Sequence, residues 1–171
     1  MAISDEIRES IRQQFNLCCG YCRVHENESG SQLEIDHFQP RAFGGTDEQE
    51  NLIYCCSACN KFKHDFWPAE NPTSNPRRLL HPLKDNVQEH LAENADGRLI
   101  PLSAIGEFHL ERLRLNRPQL VAYRKKHYLE KEVHADIIEA LAASHRLETK
   151  AEELTELLNK ALARIERLQG Q

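Results

Sequence analysis

Two pairs of cysteines constrain this sequence more than any other feature. The first pair is Cys19 and Cys22 and the second is Cys56 and Cys59, so each pair has the spacing Cys-x-x-Cys. One such spacing places two thiolates on a tight turn, and two of them complete the tetrahedral four-sulfur site that structural zinc prefers. The chain between the pairs must therefore return close to its start. The spacing predicts a zinc-bound core over residues 19–59.

The other cysteines and the start of the chain indicate where such a protein works. No run approaches the roughly 18 apolar residues of a membrane span. The first residues include Asp5 and Glu6, where a signal peptide would be basic and then apolar. We therefore expect a cytoplasmic protein with no membrane contact, whose cysteines bind metal rather than form disulfides. Cys18 and Cys55 are interpreted as small buried side chains, with exchange for a neighbouring ligand as the alternative.

Oxygen and imidazole donors lie between and just after the cysteine pairs. Asp36 and His37 end a short alternating segment that is consistent with a strand, and Asn60 directly follows the last cysteine of the second pair. Carboxylate and amide oxygens suit magnesium or a transition ion. Neighbouring strand residues point to opposite faces, so Asp36 is predicted to ligate a metal ion while His37 addresses a water. A neutral imidazole can take a proton from that water at cellular pH.

The order of these residues resembles that of the HNH endonuclease family. The matching run is Cys-x-x-Cys, Asp-His, Pro, Gly-Gly, Asn-Leu, Cys-x-x-Cys-Asn and then Lys, over about a quarter of the chain. It is similar to the zinc-bearing form of the family, as in phage endonuclease VII. The resemblance implies a strand, loop, strand and helix unit, the ββα-metal fold, and hydrolysis of phosphodiester bonds in DNA.

The resemblance also implies roles for single residues. His37 is expected to be the general base. Asn51 is expected to fix the loop and to orient His37. Asp36 and Asn60 are expected to hold the catalytic ion, Mg²⁺ or Mn²⁺, while Zn²⁺ is structural. His64 lies four residues beyond Asn60, one turn along the same helix face, at the place where some members of the family have a third metal ligand.

The charge of the chain is unusual for a protein that binds a polyanion. Its net charge is −5, and only the middle third is basic: residues 1–70 carry −6, residues 71–130 carry +3 and residues 131–171 carry −2. Phosphate contacts normally supply most non-specific affinity for DNA, so we expect weak binding by this chain alone and added positive surface from a partner or second copy. The candidate phosphate contacts, each with a solvated surface charge as the alternative, are Arg41, Lys61 and Lys63.

Three regions are expected along the chain, in an α+β fold with a mostly α-helical C-terminal half. Residues 1–70 are predicted to form an N-terminal helix, from about Ser4, and the zinc-clamped core. Residues 71–128 are predicted to form an extension with helices and a hairpin at Asp96-Gly97. Residues 129–171 are predicted to form one long amphipathic helix.

The last region carries a heptad seam. From Pro118 onward there is no further proline and no glycine before Gly170, so one long helix or two are expected, with Ser144 as the weak point. Apolar or small residues recur at alternating spacings of four and three from Val133 to Leu168. Other apolar residues widen the seam. Packing on a partner or within a bundle is therefore at least as well supported as a homodimeric coiled coil, and a helix folded back on its own domain is the third alternative.

Two functions stay open at this point. Residues 81–117, with the tripeptide Leu115-Asn116-Arg117, are similar to the downstream part of HNH proteins from bacterial anti-phage systems, the Septu-type effectors and retron-associated relatives. That resemblance implies a defence role with an ATPase-type partner. The first function is therefore a metal-dependent endonuclease that cuts DNA. The alternative is a non-catalytic zinc module that binds nucleic acid or protein, and the presence of each catalytic residue type favours the nuclease.

Overall fold

The computed structural model describes residues 3–68 and 75–169. The chain divides into two compact units, Met1–Lys126 and His127–Gln171. The boundary expected at residue 70 lies outside the described residues. None of the described helices has the length and apolar character of a membrane span.

The first unit mixes short helices and strands. In chain order its elements are α1 (Asp5–Gln14), α2 (Glu26–Ser29), β1 (Glu34–His37), β2 (Leu52–Cys55), α3 (Ser57–Lys63), β3 (Leu91–Glu93), β4 (Leu99–Pro101), α4 (Ala104–Arg112) and the start of α5 (Pro118–Gln169). Strands β1 and β2 pair antiparallel, with His37 opposite Leu52, and β3 and β4 form a second antiparallel pair. The predicted order of strand, loop, strand and helix is present in β1, β2 and α3.

Helix α1, predicted from about Ser4, packs behind the first cysteine pair. The Ser4 hydroxyl accepts a hydrogen bond from the Ile7 amide and so caps the helix. Ile11 and Phe15, one turn apart, are both buried. A side chain at Gly20 would lie 2.7 Å from the Phe15 ring, so the glycine inside the first cysteine pair lets α1 approach this closely.

Strand β2 lies at the centre of the core. All four of its residues are buried, so its apolar run is covered on both faces. Around it packs a set of buried aliphatic residues from the rest of the first unit: Leu33, Leu79, Leu80, Leu113, Leu115 and Leu120. The downstream extension therefore closes over the β1–β2–α3 unit.

A buried histidine in this core predicts a loss of stability in acid. His109 of α4 is 3% exposed, and its Nδ1 accepts a hydrogen bond from the Leu80 amide. Burial lowers the pKa of His109 from 6.5 to about 3. The unfolded chain takes up this proton below pH 6.5 and the folded chain resists it, so stability present above that pH is lost as pH falls, by about 1.4 kcal/mol per unit.

Urea unfolding at pH 7, 6, 5 and 4 checks this prediction. His109→Asn keeps an acceptor near Nδ1 but removes the titrating group, so it should flatten the dependence of unfolding free energy on pH. His145→Asn, on a side chain that is 81% exposed, should leave the slope as in the wild type. Equal slopes for all three proteins would contradict the assignment.

The tripeptide Leu115-Asn116-Arg117 forms the corner between α4 and α5. Leu115 is buried, and the amide of Asn116 exchanges two hydrogen bonds with the backbone of Leu99 in β4, both 2.8 Å. Helix α5 begins two residues later, at Pro118, so the Asn116 side chain ties the corner to β4 directly before this helix. The buried guanidinium of Arg124 donates to the carbonyl oxygens of Gly97 and Leu115, which fixes the first turns of α5.

The second unit is the continuation of α5. The helix runs without a break through Ser144, so one helix forms rather than two. The predicted seam is exposed along this unit. Its exposed large apolar side chains include Val133, Ile137, Ile138, Leu141, Leu147, Leu154, Leu157, Leu158, Leu162, Ile165 and Leu168.

Candidate metal centre and active site

The four predicted cysteines come together in one buried cluster. The Sγ atoms of Cys19, Cys22, Cys56 and Cys59 all lie within 4.8 Å of one another. The first two lie on the turn after α1, and the last two lie at the start of α3. The Sγ atoms of Cys22 and Cys56 are 3.7 Å apart, which is close to the ~3.8 Å edge of a tetrahedron with zinc–sulfur bonds of about 2.3 Å.

The donor set and its surroundings fit zinc. All six cysteines of the chain are free thiols, and a closed set of four sulfurs is typical of structural zinc. Cys56 caps α3, and its sulfur accepts a hydrogen bond from the Cys59 amide at 3.5 Å. The positive end of the helix therefore faces the thiolates. Cys18 and Cys55 lie outside this cluster of described residues.

Asp36 lies on the buried face of β1, where it forms an ion pair with Lys63. The Lys63 Nζ atom is 3.0 Å from Asp36 Oδ2, and the Tyr21 hydroxyl donates to the same oxygen at 2.7 Å. Burial raises the pKa of Asp36, and the Lys63 charge opposes that rise. Burial, together with the Asp36 charge, also raises the pKa of Tyr21 well above its usual value.

The expectation that Lys63 contacts phosphate does not agree with this placement. Its side chain is 1% exposed, and Nζ also donates to the His37 carbonyl oxygen at 2.8 Å. Lys63 lies three residues after Asn60, and that spacing turns it toward β1 rather than toward solvent. Lys61, by contrast, is exposed on α3.

The β1–α3 interface gathers further polar groups. Asn60 Nδ2 donates to Glu34 Oε2 at 2.6 Å. Glu34 and Asp36 are two residues apart on one face of β1, while Asn60 and Lys63 share one face of α3. The interface therefore holds two carboxylates, an amide and an ammonium group. Glu34 was not among the sequence candidates, although the period of two from Asp36 indicates it.

His64 does not continue the helix face that carries Asn60. Helix α3 ends at Lys63, and His64 has φ 53° and ψ −144°. Its side chain is 72% exposed and is bonded to Asp65. His64 is thus the C-cap of α3: its amide donates to the Asn60 carbonyl oxygen at 2.7 Å, one turn back, and its positive φ ends the helix there. Its role as a third metal ligand stays a prediction.

His37 lies on the opposite face of β1 from Asp36, where its imidazole contacts two loop residues, Asp47 and Arg41. Its Nε2 is 2.7 Å from Asp47 Oδ1, and Arg41 Nε is 3.3 Å from the same nitrogen. Arg41 also donates to Asp47 Oδ2 at 2.7 Å. The hydrogen bond with His37, assisted by Arg41, lowers the pKa of Asp47. Asp47 belongs to an acidic loop, and nothing in its sequence context distinguishes it from its neighbours.

Asn51 holds the loop between β1 and β2. Its Oδ1 accepts from the Gln39 amide at 2.8 Å, and its Nδ2 donates to the carbonyl oxygens of Gln39 and Thr46. The backbone of Gly45 passes so close that an added Cβ would lie 1.8 Å from the Gln39 oxygen. These contacts fix the chain directly after His37.

Comparison with known proteins agrees with this geometry. Residues 19–66 match the family model of the HNH endonuclease. The matched segment includes all four clustered cysteines, both strands of the β1–β2 pair and α3. No curated protein matches the chain. The family match and the cysteine cluster inside it show that residues 19–66 are similar to an HNH endonuclease domain.

Proposed function

We propose that this protein is a metal-dependent HNH endonuclease that hydrolyses phosphodiester bonds in DNA. The observation that carries the proposal is that β1 presents Asp36 and His37 on its two opposite faces. The Asp36 carboxylate faces α3 on one side, and the His37 imidazole faces the loop on the other, with its side chain 18% exposed. Hydrolysis of this type needs a base that activates water and a group that binds a cation.

His37 is the proposed general base. We assign the tautomer in which Nε2–H donates to Asp47 and Arg41 pairs with Asp47 rather than with the imidazole. The lone pair then lies on Nδ1, which is the atom proposed to accept a proton from water. Asp47 acts as a positioning residue because it is hydrogen-bonded to the base. Asn51 acts in the same sense, since it holds the loop that follows His37.

Asp36 and Asn60 are the proposed holders of a Mg²⁺ or Mn²⁺ ion, and the four cysteines are the proposed ligands of Zn²⁺. Carboxylate and amide oxygens fit such an ion in kind, although Lys63 shares the Asp36 carboxylate. A divalent ion would supply stabilisation of negative charge on the phosphate and on the leaving oxygen. His64 is a less suitable ligand, since its side chain is exposed beyond the end of α3 and pairs with Asp65.

Binding of DNA is proposed to use exposed cations and a second molecule. Arg41 and Lys61 are exposed near the site, whereas Lys63 is buried in its ion pair with Asp36. The chain as a whole carries a net charge of −5. We therefore propose that a protein partner, or a second copy bound through the seam of residues 129–171, completes the DNA-binding surface. The proposed biological role is defence against phage with an ATPase-type partner.

One observation favours a non-catalytic zinc module as the second candidate. The Lys63 ammonium already neutralises Asp36, the carboxylate that a catalytic ion would use. In a binding module this ion pair would be purely structural. The two candidates differ in whether His37 matters for any activity.

Cleavage of supercoiled plasmid and circular single-stranded DNA, with Mg²⁺ or Mn²⁺, tests the proposal. Wild-type protein should nick the plasmid, and His37→Ala should lower the rate by about 100-fold or more while it keeps the fold and the zinc. His134→Ala, on the second unit, is the control and should cut like wild type. If zinc-loaded wild type fails to cut, with and without the C-terminal partner, the binding module is favoured.

Loss of Asp47 should slow cleavage through His37 alone. Asp47→Ala is expected to lower the cleavage rate on the order of 10- to 100-fold, because a misplaced base seldom reaches the reactive geometry. Asp65→Ala removes another carboxylate that is bonded to a histidine, His64, and should have little effect. In a His37→Ala background, Asp47→Ala should cause no further loss; an additional tenfold loss there would show that Asp47 acts elsewhere.

A further inference from the structure

Arg117 reaches the cysteine cluster from a distant part of the chain. Its Nη2 is 3.7 Å from Cys59 Sγ and 3.9 Å from Cys56 Sγ, within the range of N–H to sulfur hydrogen bonds. Its Nη1 donates to the Leu113 carbonyl oxygen at 3.2 Å, and the guanidinium lies over the Phe62 ring. The group is therefore held in place by contacts other than those with sulfur.

The negative charge of the zinc-bound cluster explains why the positive guanidinium of Arg117 stabilises it. Four thiolates and one Zn²⁺ ion carry a net charge of −2 in a buried site, where such charge is costly unless it is paired. An arginine side chain keeps its positive charge in proteins, and the Arg117 guanidinium lies against two of these sulfurs. The guanidinium stays charged, and it supplies two hydrogen bonds to the α3 half of the cluster.

We propose that Arg117 is a positioning residue of the zinc centre, which donates hydrogen bonds to the Cys56 and Cys59 thiolates and retains the metal. Partners of metal ligands orient those ligands and tune their basicity. Because Arg117 pairs with the two sulfurs, competing ligands displace them from the metal more slowly. The same contacts link the α4–α5 corner to α3. The inference depends on the zinc site but not on nuclease activity.

Arg114 offers a matched control three residues away. Its guanidinium lies over the same Phe62 ring, at 4.8 Å, compared with 5.6 Å for Arg117. Within the part of the chain that the structure describes, the hydrogen bonds of Arg114 do not reach a sulfur atom. Replacement of either arginine thus removes a cation–ring contact, and only replacement of Arg117 removes hydrogen bonds to the thiolates.

The first test measures loss of zinc to a coloured chelator in excess. Arg117→Met should release zinc about tenfold faster than wild type, which is the lower end of the effect found for partners of metal ligands. Arg114→Met should release zinc at the wild-type rate. Equal release rates for the two variants would overturn the proposal. If Arg117→Met does not fold, Arg117→Lys, which keeps the charge but loses the fixed fork, is compared with Arg114→Lys.

The second test uses a spectroscopic signature that packing alone does not change. With Co²⁺ in place of zinc, the sulfur-to-cobalt charge-transfer bands report electron density on the thiolates. Loss of two hydrogen-bond donors should move these bands to lower energy in Arg117→Met and leave them unchanged in Arg114→Met. Unmoved bands in both variants would overturn the proposal. A protein that binds neither Zn²⁺ nor Co²⁺ would refute the zinc site itself, and plasmid cleavage would still be judged separately.

Discussion

Cys59→Ser is expected to unfold the first unit of the protein. Cys59 is fully buried, and its sulfur belongs to the four-cysteine cluster. The free energy of structural zinc binding in small domains is on the order of 10 kcal/mol, as large as the whole stability of a typical domain. A serine hydroxyl is a poor zinc ligand, so most of that energy is lost. Circular dichroism and zinc content per chain measure the result.

Cys18→Ser is the control for this substitution. Cys18 is a partly exposed thiol next to Cys19 but outside the cluster. The control should keep one zinc per chain and a cooperative thermal transition. Addition of a strong chelator to the wild type should reproduce the Cys59→Ser result. A Cys59→Ser protein that keeps its fold and its metal would show that the cluster does not depend on all four sulfurs.

Lys63→Met is expected to lower the free energy of unfolding by about 3–5 kcal/mol. The substitution leaves the Asp36 carboxylate buried without its cation, which is the costly way to break a buried ion pair. Tyr21 would remain as its hydrogen-bond partner. Urea unfolding of the zinc-loaded protein measures the loss. Adding Asp36→Asn to Lys63→Met should recover part of it, because the unpaired charge is then gone.

Lys61→Met separates this effect from the loss of a lysine in general. Lys61 is exposed on the same helix, and exposed substitutions usually change stability by no more than about 0.5 kcal/mol. If Lys63→Met were no worse than Lys61→Met, Asp36 would have no need of Lys63 in solution. Addition of Mg²⁺ gives a further comparison. If Mg²⁺ binds Asp36, it should raise the free energy of unfolding of Lys63→Met more than that of wild type, because no ammonium group then competes for the carboxylate.

Local spacing explains why much of the candidate site could be predicted. The two cysteine pairs and the Asp36-His37 dipeptide have meaning within a few residues, because turn and strand geometry fix where neighbouring side chains point. The strands, the start of α3 and the helix at Ser4 follow from the same short-range patterns. These elements are where sequence and structure agree.

Contacts over long separations explain what could not be predicted. Lysine is almost never fully buried unless it is paired, so Lys63 was interpreted as a surface cation, and its partner Asp36 lies 27 residues away. Arg117 is 58 residues from Cys59. Asp47 reaches His37 only because the loop folds back over β1. His64 has a positive φ at the end of α3, which the sequence around it does not indicate.

The backbone of the loop passes so close to Gly45 that it limits which amino acids this position can accept. In a mutational library selected for folded or active protein, position 45 should return glycine alone, since any Cβ would lie 1.8 Å from the Gln39 carbonyl oxygen. Gly44 has φ +84° but open space around it, with the nearest atom at 3.8 Å. Asparagine, which tolerates that conformation, should therefore be recovered at position 44. The two adjacent glycines are thus kept for different reasons, one for lack of space and the other for backbone conformation.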